Sequence, residues 1–335
     1  MPPMLTKATV VGAGAMGTVM AKILDSNGIR VALLARDCEV QELLVHRENR
    51  QYLPGVKLSD GIRPTDDARV ALANTELIVS AIPCQFLRGI WQTLPPHLPE
   101  DAPICSVTKG IEIGTLQRPS EIIREFAPGH ACAVLSGPSI APELARCLPA
   151  TVVVASAVPG LAEFMQAVLS TSWFRIYTNP DVLGVELAGA VKNVVALAAG
   201  ILDGLRAGDN AKAALVTRGL VEITRLGVAL GARPETFVGL AGVGDLITTC
   251  VSPIGRNRSA GEKIARGIAP EEVVRQSAAV IEGIPTTRAV LELAKRYGVE
   301  MPITRAVYDV LFEQKPALAA ITELMNRPLK AEEPH

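Results

Sequence analysis

The feature that most narrows what this chain can fold into is a loop of three glycines at fixed spacing, Gly12-Ala-Gly14-Ala-Met-Gly17. Residues 8–11 before it (Ala-Thr-Val-Val) form a short β-type run, and an apolar helical pattern follows as far as Leu24. In that setting the first glycine makes a tight turn and the second lets backbone approach a pyrophosphate. The third lets the helix lie close on the strand, and the phosphates meet the helix N-terminus. Three glycines alone are a weak signal, but a second strand at residues 30–34 (Arg-Val-Ala-Leu-Leu) supplies the βαβ context that the fingerprint requires. The residue closing that second strand selects the nucleotide, because an acid there holds a ribose 2′-hydroxyl whereas an arginine accommodates a 2′-phosphate. Arg36 stands at this point, followed by Asp37, so NADP(H) is the expected cofactor and NAD(H) the alternative. A solvated arginine at a strand end is the competing explanation.

Further apolar runs at 76–82, 104–108, 132–135 and 151–154 are each separated by a helical stretch or a loop. Near-continuous apolar strands alternating with helices predict a buried, mostly parallel sheet, and ligands of such sheets bind beyond the carboxyl ends of the strands. The residues placed there are Pro83, then Lys109-Gly110, then residues 136–143 (Ser-Gly-Pro-Ser-Ile-Ala-Pro-Glu). Lys109 reads as a surface lysine or, with a glycine behind it freeing the backbone, as a ligand contact. Ser136 and Ser139 suit a hydroxylated or phosphorylated substrate, although Gly-Pro between them is also a plain turn signal.

After Pro180 strand patterns stop and helical ones take over, at 186–203, 211–230, 262–266, 270–276, 286–297, 304–312 and 317–326. This predicts an α/β dinucleotide-binding domain over residues 1–180 and an all-α substrate and catalytic domain over 181–335, with a turn-rich hinge at 177–181. At the centre of the second domain, Leu183, Leu187, Val191, Val194, Ala198 and Ile201 recur at three- and four-residue steps, and Lys192 interrupts them. Ala188, Gly189, Ala196 and Ala199 beside it are too small to cover an ammonium group, so an open face is expected there. A desolvated lysine has its pKa pushed down toward the range of a general acid, whereas a snorkelling lysine keeps its head in water. Asp245, after the glycine-rich run 239–244, reads as a helix N-cap or as the carboxylate that balances Lys192. Gly255-Arg-Asn-Arg-Ser259 places a compact set of donors at a helix start and suits a phosphate.

A formal net charge of −1 over 335 residues gives no field for gathering nucleic acid or an anionic membrane. No apolar run reaches membrane-spanning length and no signal segment opens the chain, so a cytoplasmic protein is expected. The six cysteines show no CxxC pairing and read as reduced core residues. Metal chemistry is not expected, since His46, His97, His130 and His335 lack ligand spacing. A mostly apolar helical domain points to a homodimer, and the polar tail 330–335 to a frayed end.

Taken together, GAGAMG, SVTKG at 106–110, SGPS at 136–139, GAVKNVVALAAG at 189–200, GVGDLITTC at 242–250, GRNRSAG at 255–261 and VIEG at 280–283 resemble, in order and over nearly the whole chain, the bacterial NAD(P)-dependent sn-glycerol-3-phosphate dehydrogenases. The resemblance implies a Rossmann-type domain joined to a helical one, and reversible reduction of dihydroxyacetone phosphate to glycerol 3-phosphate for phospholipid synthesis. It also implies that Lys192 is the proton donor and acceptor at the substrate oxygen, with Asp245 its partner and Lys109 reaching both substrate and nicotinamide. Gly137 and Ser139 become substrate contacts, and Arg256 with Asn257 the phosphate-binding pair. Gly12, Gly14, Ala15, Met16, Gly17, Arg36, Ala141, Arg256, Val280 and Glu282 become cofactor contacts.

The chain departs from the family pattern at Ala15-Met16, where a serine and an aromatic are usual, at Ile140-Ala-Pro-Glu143, and at Gly255, where a serine usually precedes the arginine. Two rival readings are a β-hydroxyacid dehydrogenase, which shares the glycine loop and a helix lysine followed by asparagine, and a non-catalytic NADPH-binding protein. SGPSIAPE stands where the first rival needs a serine- and glycine-rich carboxylate-binding segment. The second rival has no use for Lys109, Lys192 and Asp245 together.

Overall fold

The computed structural model describes residues 5–329 and 331–332; Lys330 and residues 333–335, where most of the expected frayed tail lies, fall outside the described residues, as does His335. Two compact units are present. Met1–Thr108 with Pro119–Val182 form a sheet unit, and Lys109–Arg118 with Leu183–His335 a helical unit. The division therefore differs from a single cut at 180/181, because the ten residues that begin with Lys109 pack with the helices.

The sheet unit alternates strand and helix: β1 (Lys7–Val11), α1 (Ala15–Ser26), β2 (Arg30–Leu34), α2 (Asp37–His46), β3 (Ile62–Thr65), α3 (Ala68–Leu72), β4 (Ile78–Ser80), α4 (Cys84–Trp91), β5 (Ile104–Ser106), α5 (Pro119–Phe126), β6 (Cys132–Ser136), α6 (Ala141–Ala145), β7 (Ala150–Ser156), α7 (Leu161–Leu169) and β8 (Phe174–Asn179). The strands lie in the order β3-β2-β1-β4-β5-β6-β7-β8, all neighbours parallel except β6 and β7. Apolar residues of β1, β2, β6 and β7 pack under α1 and α7 on one side, while Trp91, Leu87 and Ile122 cover the other. Burying both faces is what makes the central strands read as continuous apolar runs. β8 takes in Tyr177–Asn179, so the expected hinge at 177–181 shrinks to Pro180 and Asp181.

The helical unit contains α8 (Val182–Gly204), α9 (Asp209–Ala229), α10 (Pro234–Phe237), α11 (Asp245–Val251), α12 (Arg256–Ala265), α13 (Pro270–Arg275), α14 (Gly283–Tyr297), α15 (Pro302–Phe312) and α16 (Ala317–Met325). Every residue of α8 from Gly184 to Leu202 is buried. α8 is long and apolar enough to cross a membrane by length and composition, yet 94% of its most apolar stretch lies inside the protein, as the core helix of a globular unit does. The expected open face beside Lys192 is accordingly closed, with Ala188, Ala196 and Ala199 at 0% exposure.

Small residues also let α12 pack directly on α8. A Cβ at Gly200 would lie 1.8 Å from the Arg258 carbonyl oxygen, and one at Gly261 2.0 Å from that of Leu197, so neither position admits a larger residue without separating the helices. The cysteines also depart in part from the core reading. All six are free thiols, but Cys38 and Cys147 are exposed.

Candidate active site

In the sheet unit the glycine loop separates into two positions that the protein's own packing demands and one that it does not. Gly12 has φ +105° and a Cβ there would lie 2.8 Å from the Ala81 carbonyl oxygen, while a Cβ at Gly17 would lie 1.8 Å from that of Gly12. At Gly14 nothing lies within 4 Å of the Cβ position. Gly14 is also the N-cap of α1, and no side chain caps that terminus. Open space against unsatisfied N–H groups at a helix N-terminus suits a pyrophosphate, so these residues fit a dinucleotide. Ala15 and Met16 are the first two residues of α1.

Asn49, which the sequence reading missed, is buried and donates from Nδ2 to the Ala13 carbonyl oxygen at 2.7 Å and to Thr18 Oγ1 at 2.8 Å, fixing the loop from outside its motif. Arg36 is the N-cap residue of α2; its guanidinium pairs with Glu39 at 2.5 Å and donates to the Tyr52 hydroxyl at 2.8 Å, with the side chain 61% exposed. Its pKa is raised by the Glu39 hydrogen bond, so it is a permanent cation. Beyond β6, Gly137 has φ +124°, Ser139 Oγ donates to its carbonyl oxygen at 2.9 Å, and Ala141 opens α6.

In the helical unit the structure brings Lys192, Asp245 and Lys109 together. Asp245 is 2% exposed, and its two carboxylate oxygens divide between two amines: Oδ1 lies 3.0 Å from Lys192 Nζ and Oδ2 2.6 Å from Lys109 Nζ. It is not the N-cap of α11, whose cap residue is Gly244; a π-helical turn, Leu240–Gly244, leads into α11 and leaves the carboxylate turned to the lysines. Such widened turns recur at functional sites.

Thr249, one turn along α11, is a second residue the sequence reading missed. Its hydroxyl donates to the Asp245 carbonyl oxygen at 2.7 Å, so its lone pairs accept from Lys192 Nζ. A threonine in the run Leu-Ile-Thr-Thr-Cys carries no sequence signal of this role. An ammonium has three protons. Asp245 takes one and Thr249 another, and the third has no partner among the described residues.

Lys192 is 5% exposed, and burial pulls its pKa from 10.5 down to about 8. Asp245 opposes that fall and the second ammonium, on Lys109, adds to it. The amine is therefore poised between its two protonation states near neutral pH.

Next to this cluster a chain of amides ties three helices together. Asn257 Nδ2 donates to Asn193 Oδ1 at 2.9 Å and Asn257 Oδ1 accepts the Gly283 N–H at 2.9 Å, linking α12 to α8 and α14. Both ends of the Asn257 carboxamide are thus in use, with one N–H left for any phosphate. Arg256, the first residue of α12, donates to the Val280 carbonyl oxygen at 3.0 Å. Val280 and Glu282 precede α14, with Glu282 as its N-cap residue. Among the described residues, no group of three or more His, Cys, Asp or Glu side chains is arranged to hold a metal ion.

Both units match the models of a known family. Residues 7–162 match the model of the NAD-dependent glycerol-3-phosphate dehydrogenase N-terminus, and residues 181–322 that of its C-terminus. The chain belongs to the NAD-dependent glycerol-3-phosphate dehydrogenase family. Among relatives of this family, the glycerol-3-phosphate dehydrogenase [NAD(P)+] of Geobacter sp. (strain M21) is 46% identical over 98% of this chain and 99% of its own length. That of Chlorobium phaeobacteroides (strain BS1) is 48% identical over 97% and 99%. The crystal structure of glycerol-3-phosphate dehydrogenase from Coxiella burnetii superposes with a TM-score of 0.94 at 34% identity, covering 97% of this chain and all of that one. A ketopantoate reductase from Ralstonia eutropha, at 16% identity and a TM-score of 0.62, shares only the fold.

Proposed function

We infer that this chain catalyses the reversible, NAD(P)H-dependent reduction of dihydroxyacetone phosphate to sn-glycerol 3-phosphate. The observation that carries the chemistry is a buried lysine with one unshared N–H, held between a carboxylate and a hydroxyl. When bound, the nicotinamide supplies or accepts the hydride at the substrate's C2. The backbone at Gly12, Gly14 and Gly17 and the uncapped start of α1 hold its pyrophosphate, and Arg36, a permanent cation, favours a 2′-phosphate.

Lys192 gives its third proton to the C2 oxygen as negative charge develops there, and takes it back in the oxidation direction. Asp245 keeps the ammonium form populated at neutral pH despite burial, and Thr249 orients it. Lys109 adds a second positive charge for the developing alkoxide, in surroundings where charge is poorly screened. Arg256 and the remaining N–H of Asn257 bind the phosphate and fix C2 relative to Lys192, with Gly137 and Ser139 contacting the glycerol moiety. Ala15, Met16, Ala141, Val280 and Glu282 line the nucleotide.

We further propose a cytoplasmic homodimer that acts on a small molecule without nucleic-acid or membrane partners. A net charge of −1 supports the latter, and the exposed apolar side chains of Leu318 and Met325 on α16 support self-association.

The test is to follow oxidation of NADPH and of NADH with dihydroxyacetone phosphate, and with a panel of 3-oxo acids as the counter-test. Turnover with the phosphate ester and none with the acids is expected. Turnover with the acids alone would establish the β-hydroxyacid reading, and tight NADPH binding without turnover the non-catalytic one.

A further inference from the structure

Lys109 follows β5, yet the strand does not position it. Residues 107–118 have no helix or strand, and from Lys109 to Arg118 they pack with the helical unit. Within this strap the Glu112 N–H donates to the Gln117 carbonyl oxygen at 3.0 Å, the Leu116 N–H donates to that of Glu112 at 3.0 Å, and Thr115 Oγ1 donates to the Glu112 carboxylate. The strap thus closes on itself as a compact turn, and the chain leaves it beside the point where it entered. Lys109 and Arg118 are the two legs of that turn. Ile111, at 0% exposure, and Leu116, at 7%, seat it by burial.

Each leg ends in an ion pair to the helical unit. Lys109 pairs with Asp245, and Arg118 pairs with Glu186, whose side chain is 3% exposed against 16% for the arginine. Glu186 lies on α8, six residues before Lys192, or about 9 Å along the helix axis. Two hinge-like positions give the strap freedom that the ion pairs remove, with Gly110 at φ +143° and Gly114 at φ +89°.

We propose that the Arg118–Glu186 ion pair is a positioning device for Lys109: it clamps the far leg of the strap to the helix that carries Lys192 and so sets the distance between the two ammonium groups. A buried pair of this kind is weak evidence of stability for its own sake, because desolvating both charges offsets most of their attraction. Its value here is geometric. With the clamp released, Lys109 swings on Gly110 away from Asp245, and the carboxylate turns wholly to Lys192. Losing the like charge and gaining the opposite one both favour the protonated amine. The titratable groups facing Lys192 are Asp245, Lys109 and the thiol of Cys250, which burial pushes up to about 12.

The inference rests on Lys192 as the proton donor, and the test separates the two ideas. Glu186→Gln in the full chain should lower kcat for reduction by roughly tenfold, leave NADPH affinity unchanged, and move the alkaline limb of kcat upward by about half a pH unit. In a Lys109→Met background the same substitution should change neither kcat nor the limb, because the clamp then has nothing to position. A wild-type limb that Glu186→Gln leaves in place, or a loss of kcat that persists in the Lys109→Met background, would make the pair an ordinary brace and overturn the proposal. Should Glu186→Gln fail to fold, Glu186→Asp and the exchanged pair Arg118→Glu with Glu186→Arg carry the same readout; recovery of kcat and limb in the exchanged pair supports the clamp and failure of both in a folded protein refutes it. A wild-type enzyme with no alkaline limb would refute the proton-donor role itself, and the clamp with it.

Discussion

Replacing Asp245 by asparagine keeps the shape of the site and removes the one negative charge between two ammonium groups. Lys192 Nζ stands 3.0 Å from the carboxylate, and burial already holds its pKa at about 8 with that charge present. Opposite unit charges about 4 Å apart attract by about 4 kcal/mol at an effective dielectric constant of about 20, equivalent to roughly 3 pKa units. Without the charge the Lys192 pKa falls well below neutrality, so near neutral pH the ammonium form drops from about nine-tenths of the enzyme to about one-hundredth. The sign follows from the direction of reaction: reduction needs the ammonium, so kcat for reduction falls by roughly a hundredfold and its alkaline limb moves below neutrality. Oxidation needs the free amine and suffers less. The assay is the pH dependence of kcat in both directions from the absorbance of the reduced nicotinamide, with NADPH binding measured separately to show an intact protein. An Asp245→Asn enzyme whose alkaline limb stays near pH 8 would refute the electrostatic account of this lysine.

Other substitutions probe the supports of the site. Thr249→Val removes the hydroxyl that accepts from Lys192 while keeping its volume, and a lost hydrogen bond to a charged group predicts about a tenfold fall in kcat with cofactor KM unchanged. Gly14→Ala has room within the protein and should fold with normal stability but a raised KM for NADPH, whereas Gly17→Ala drives a Cβ to 1.8 Å from the Gly12 carbonyl oxygen and should lower the unfolding temperature. Gly261→Ala should weaken the α8–α12 contact by about 1–3 kcal/mol, read by thermal unfolding, and disturb the Asn193–Asn257 bond with it.

The central strands were legible in the sequence because burial on both faces leaves them continuous in apolar residues, and the glycine loop because close contacts demand two of its glycines and open space at a helix start suits the third. The two sheet edges were not. β3 reads Ile-Arg-Pro-Thr, a composition that only an edge strand tolerates, since Pro64 cannot donate to a second neighbour. β8 alternates buried Phe174 and Ile176 with exposed Arg175 and Tyr177, and its Thr-Asn end imitates a turn.

Within the site, Lys192 and Asp245 were visible as charges in apolar or glycine-rich surroundings. Thr249, Asn49 and the Arg118–Glu186 pair were not, because each acts through a partner between 31 and 68 residues away, or through a helix turn whose phase the sequence does not give. The strap shows the same limit: Lys109 follows a strand in sequence but packs with the helices, a relation that exists only in three dimensions.

Lys192 is the group that moves the proton in the proposed reaction. The most direct test of that role is single-turnover reduction of dihydroxyacetone phosphate by Lys192→Ala, with NADPH affinity measured on the same preparation. Removing a general acid predicts a fall in the rate of the chemical step of about a hundredfold to ten-thousandfold with NADPH bound almost as tightly as by the wild type. A variant that reduces the ketone at the wild-type rate once NADPH is bound, or that loses NADPH binding while its rate is kept, would contradict it.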